Sequence, residues 1–230
     1  MRSAPRLGFT VVVALAASIA AVRPVRADDS FETVAAAAER VRAIDDVVWA
    51  LVAPCDRGDD TERRSCRQVR DAAATRLAGK TLLVTADAGA FRVSAWDAKK
   101  RSVAVTVEGC IRCGGVSIDG ASWLVTGDPG APAIEAGKAR PALLLETART
   151  FKDEDAAKAW AAAVASARVE LIVKVGPTPV WHQAGKDGVA LEAIGYRVTT
   201  LCDGLVIAAS PPSGSVPPDK KSCAKKTSSS

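Results

Sequence analysis

Arg76-Leu-Ala-Gly-Lys-Thr-Leu-Leu-Val-Thr85 holds the point at which the hydrophobic period of the chain changes, and that change decides the fold class. Upstream of it, Thr61 to Ala78 sets Cys66, Val69, Ala73 and Leu77 at helical spacing, and Gly79 stands where a helix end favours a residue of positive φ. Downstream, Thr81 to Thr85 is a short run rich in apolar and β-branched side chains, which reads as a strand.

Working back toward the N-terminus, Phe31, Val34, Ala38, Val41, Ile44, Val48 and Leu51 step by three and four and form one face of a first helix, which Pro54 ends. Asp28, Asp29 and Ser30 precede it as acidic and capping residues. Residues 28–79 therefore read as a helical hairpin.

Working forward, strands are expected at Phe91 to Trp96, Arg101 to Val107, Ser122 to Thr126 and Pro141 to Thr147, with Asp97-Ala-Lys-Lys100 as a hairpin turn. One helix interrupts them at about residues 151–165, opened by Thr150-Phe-Lys-Asp153 in the manner of a capping box and followed by Glu154 and Asp155. Trp160 lies on its apolar side, where a packing role is expected in preference to a ligand platform. Val169 to Val175 is a further strand, interrupted by Pro177 and Pro179. Ala190 to Leu201 and Leu205 to Ala209 make a last hairpin around Cys202-Asp-Gly204. The expected fold is α+β: an N-terminal helical hairpin followed by a mainly antiparallel sheet with one inserted helix, in a single domain over residues 28–210 (28–79 helical, 80–210 mainly β). Residues 211–230 are Pro, Ser, Lys and Gly-rich and read as a disordered tail.

Residues 1–27 carry Arg2 and Arg6, the apolar run Leu7 to Val22, and Val25-Arg26-Ala27, the pattern of a secretory signal peptide cleaved before Asp28. The 16-residue apolar run falls short of a bilayer-spanning helix, so stable membrane insertion after cleavage is not expected. Taking the leader's four arginines from the 31 basic residues leaves 27 against 26 acidic ones. Most of the basic excess belongs to the leader. A near-neutral body with few aromatic residues argues against a nucleic-acid partner.

Export to the periplasm or the exterior puts Cys55, Cys66, Cys110, Cys113, Cys202 and Cys223 where disulfides persist. Six cysteines allow about 15 connectivities, and the spacing favours three local pairs: Cys55 with Cys66, Cys110 with Cys113, and Cys202 with Cys223. Cys110-Ile-Arg-Cys113 also admits a thiol-disulfide exchanger, with Arg112 favouring a thiolate. The Gly114-Gly115 that follows is a poor start for the helix such a centre uses. A zinc site would need four ligands, and no second Cys-x-x-Cys is present.

His182 is the single histidine, which excludes a multi-histidine metal site; it reads as a loop residue beside Trp181. No nucleophile elbow or phosphate-cradling glycine motif accompanies it. Arg57-Gly58-Asp59 resembles an adhesion tripeptide, although its acids equally suit the start of the following helix. The residues thus point to an exported soluble domain, a non-catalytic binding or structural module braced by disulfides, with no cofactor or metal and with an envelope or extracellular protein as the class of partner. The alternatives are a thiol-disulfide oxidoreductase using Cys110 and Cys113, and a zinc-binding module.

Overall fold

The computed structural model describes residues 30–86, 89–109, 115–126, 134–135, 138–139, 143–183, 185–201 and 203–214. Its helices are α1 (Phe31–Ala37), α2 (Ile44–Val52), α3 (Asp60–Leu77) and α4 (Glu154–Val164). Its strands are β1 (Glu39–Arg40), β2 (Thr81–Thr85), β3 (Phe91–Val93), β4 (Ser102–Glu108), β5 (Val116–Ile118), β6 (Ala121–Thr126), β7 (Ile134–Glu135), β8 (Lys138–Ala139), β9 (Leu143–Thr150), β10 (Arg168–Gln183), β11 (Lys186–Thr199) and β12 (Val206–Ser210). The chain is of mixed α and β content with antiparallel sheets, in keeping with an α+β class.

The larger sheet has the order β1-β2-β10-β11-β6-β5, with β12 also on β11, and a smaller sheet has the order β3-β4-β9. β7 and β8 pair with each other. Only β1 with β2 and β11 with β6 are parallel among the described pairs.

The unbroken apolar run of Leu82-Leu83-Val84 follows from burial on both faces of β2. Leu82 and Val84 join Leu171, Val173 and Val175 of β10 against α2 and Leu77 of α3, whereas Leu83 and Ile172 turn the other way onto Phe31 and Val34 of α1. Gly79, at φ +69°, lets the chain leave α3 and enter β2 within four residues.

The expected first helix is broken. Ala38 is extended, Glu39 and Arg40 pair in parallel with Leu82 and Leu83, and Val41 donates its N–H to the Leu83 carbonyl before α2 begins. The three-and-four spacing runs through this break because each short helix presents its own apolar stripe, α1 to one face of the sheet and α2 to the other. On α3, Leu77 is buried as expected, but Val69 is 69% exposed. The half-buried side runs instead through Arg63, Cys66, Arg70, Ala73 and Ala74.

Pro177 and Pro179 do not end a strand. β10 continues to Gln183, and the β10–β11 register shifts between Val175 and Val180, so the prolines sit in a bulge where their missing N–H groups cost no ladder bond. The turn at Gly185, φ +71°, returns the chain into β11. α4 starts three residues later than the sequence suggests, because β9 runs through Thr150 and Asp153 is the cap, accepting from the Ala156 N–H at 2.8 Å. Residues 211–214, placed by composition in the tail, are held against α1: Phe31 donates its N–H to the Pro212 carbonyl at 2.9 Å, and the Ser213 hydroxyl and Gly214 N–H both reach Glu32. Residues 1–29, which include the expected leader, and residues 215–230 lie outside the described residues.

Candidate functional site

The smaller sheet carries the site. Phe151 donates its N–H to the Arg101 carbonyl at 3.0 Å, and Ser102 pairs with Thr150, which fixes the alternation along β9. Arg149, Thr147 and Leu145 bond toward β4, and the backbone groups of Thr150, Ala148 and Glu146 point away from it. β9 is the last strand of its sheet among the described residues, so that outer edge carries no ladder.

Side chains alternate across the same strand. Leu145, Thr147 and Arg149 share the face of Val103 and Val105, onto which Ala157 and Trp160 of α4 pack. Trp160 is half-buried: one side serves the packing expected from the sequence and the rest faces outward. The guanidinium of Arg149 lies over it, 4.7 Å from the ring centroid, and 5.7 Å from that of Phe151. Phe151 and Trp160 are themselves 5.5 Å apart, tilted by 43°. Such stacking is worth about 0.5–1 kcal/mol at an exposed position, a roughly two- to fivefold bias toward this placement of the cation. No carboxylate among the described residues forms an ion pair with Arg149.

Between β9 and β12 lies a groove of about 350 Å³, lined by Leu145, Thr147, Arg149, Trp160, Ile207 and Ala208, with Val105 at its floor and Ala148 and Thr150 at its rim. That volume is at the lower end of the roughly 300–1,000 Å³ of ligand sites. Four consecutive residues of β9, from Thr147 to Thr150, border it. A sheet face would expose only alternate residues, so the groove meets β9 along its edge. The arrangement supplies an apolar trough, a row of open backbone donors and acceptors, and one cation fixed on two rings. That suits it to binding, and among its described lining residues none is a nucleophile paired with a base.

The residues singled out by the sequence lie elsewhere. Cys55 and Cys66 are joined in a disulfide, with Cα atoms 5.5 Å apart, closing the loop between α2 and α3. Cys110, Cys113, Cys202 and Cys223 lie outside the described residues, and with them the pairings, the redox centre and the zinc alternative. Among the described residues no three His, Cys, Asp or Glu side chains gather as metal ligands.

His182 is on a strand, not in a loop. Its Nδ1 is 2.7 Å from Asp187 Oδ1 on the facing strand, and its ring meets that of Trp123 edge-on at 6.1 Å. Both members of this pair are exposed, and no hydroxyl or thiol among the described residues bonds to the histidine. Beside it Trp181 lies across Gly188, where a Cβ would come within 2.1 Å of the ring, and its buried Nε1 has no partner among the described residues.

The Arg57-Gly58-Asp59 string is committed to structure. Asp59 caps α3 and forms a capping box with Glu62, Arg57 pairs with Asp119 at 2.9 Å, and Gly58 at φ +82° leaves room for the Glu62 carboxylate.

The groove at Arg149 was not among the expected sites. Its only sequence signal is the clustering of Arg149, Phe151 and Trp160 around the start of α4, which does not reveal the approach of Ile207. No family model matches the chain, and no curated protein or solved structure matches it significantly. No helix among the described residues is long and apolar enough to cross a membrane.

Proposed function

We propose that the chain is an exported, non-catalytic binding module, acting in the periplasm or outside the cell, and that the groove between β9 and β12 is its binding site. The observation that carries the reading is Arg149: a cation held over Trp160 and Phe151 at the mouth of an apolar trough, with no carboxylate partner among the described residues. A ligand with an apolar body and an anionic group matches both halves of that site. In this reading the N-terminal helical hairpin, closed by Cys55–Cys66, braces the larger sheet and leaves recognition to the smaller one. The partner belongs to the envelope or the extracellular space, where the leader would deliver the chain.

Titration of the purified mature protein with octanoate and with short acidic peptides, followed by backbone amide shifts, tests the site. Shifts confined to β9, the part of α4 around Trp160 and β12 support it; shifts confined to other elements, or none, remove it. Intact mass after expression with the leader tests export, and a product beginning at Asp28 in the exported fraction is the expected result.

A further inference from the structure

We propose that the groove takes an extended peptide segment of a partner protein, added as an antiparallel strand to the β9 edge that no described strand pairs with, with an acidic side chain of the peptide against Arg149. The inference rests on the groove being the binding site and says what class of ligand fills it.

Three features point to a strand in preference to a compact small molecule. The groove runs along the edge of β9, bordered by consecutive residues, so its occupant meets main-chain atoms as well as side chains. The backbone groups of Glu146, Ala148 and Thr150 are directed into that edge with no ladder partner among the described strands, which is the template that strand addition uses. No proline interrupts β9 and its bulge lies at the far end, between the positions paired with Val107 and Glu108, so over residues 146–150 the edge is guarded only by the exposed charges of Glu146 and Arg149, which would select among incoming strands.

The register gives the peptide its pattern. Residues paired with Leu145, Thr147 and Arg149 share their face and enter the trough beside Trp160 and Ile207, so two apolar side chains and one carboxylate are wanted at alternate positions. Residues paired with Glu146 and Ala148 make the main-chain bonds and turn their side chains to the opposite face, where small polar groups suffice. An antiparallel strand meeting Arg149 first therefore reads Glu-Ser-Val-Ser-Val-Ser.

The test uses the mature protein and three probes: that hexapeptide, acetylated and amidated; the same peptide N-methylated at its serines; and octanoate. The hexapeptide is expected to bind, and either N-methylation, which removes neutral main-chain bonds, or exchange of its Glu for Lys, which removes a charge-assisted one, weakens it by about tenfold or more. Arg149→Ala, at an exposed position, gives a similar loss. Equal binding of the N-methylated peptide overturns strand addition. Binding of octanoate without the hexapeptide also overturns it, while leaving the groove as the site. Binding of neither removes both.

Discussion

The guanidinium of Arg197 lies over the ring of Phe31, 4.4 Å from its centroid, and joins α1 to the larger sheet through an ion pair with Glu170. The two charged side chains are 11% and 13% exposed, so the pair is close to buried. Removing one member leaves the other desolvated without its counter-charge, and Arg197→Ala should cost about 3–5 kcal/mol in chemical denaturation. Arg197→Met combined with Glu170→Leu should recover most of that loss. If the single variant costs no more than an exposed pair, the Arg197 contact is not what seats α1.

Glu32 makes the same corner sensitive to acid. The Ser213 hydroxyl, donating to its carboxylate, holds Glu32 below the usual value of 4.5, with the Gly214 N–H acting in the same direction. Arg197 also donates to this carboxylate, at 3.2 Å, and Glu170 lies across the guanidinium. A carboxylate depressed in the folded state stabilises at pH above its unfolded value, and the contribution is lost as pH falls through the folded one. Exchange of the Phe31 amide should therefore accelerate as pH drops below 4.5, relative to amides of β10. Glu32→Gln should flatten that difference.

Cys55–Cys66 closes a loop with a sequence separation of 11 residues. Loop-closure entropy of that size corresponds to about 3 kcal/mol. The Cys55→Ser, Cys66→Ser double variant should lower the denaturation midpoint accordingly, while peptide binding at the groove persists.

Gly188 faces Trp181 across the β10–β11 hairpin. A methyl group there would enter the indole, so Gly188→Ala should cost about 1–3 kcal/mol by overpacking. Near-ultraviolet circular dichroism should report the displaced tryptophan. Gly185→Ala meets no neighbouring atom and is strained only by its φ of +71°, so it separates crowding from backbone conformation.

How far the sequence leads depends on whether the deciding interaction is local. The Gly79 exit from α3, Asp97 receiving the Lys99 and Lys100 N–H groups, and the pairing of Cys55 with Cys66 all lie within a dozen residues, and each is readable from its own neighbourhood. The break at Ala38 is not, because Glu39 and Arg40 leave the helix for an edge supplied by Leu82 and Leu83 more than forty residues on. Proline punctuation misled at Pro177 and Pro179, where the long β10–β11 ladder absorbs a bulge and carries on. With that went His182, assigned to a loop that is a strand. The groove was beyond reach for the same reason: Arg149 and Ile207 are brought together by the packing of two separate sheets.

The bond from Phe31 to Pro212 has a mechanical consequence. Chain enters and leaves this body at neighbouring points, so tension applied between residues 30 and 214 would act first on α1 and its contacts with Pro212, Ser213 and Gly214, opening them one after another like a zip. The β9 edge, far along the chain from both attachment points, would carry none of that load until the clasp had parted.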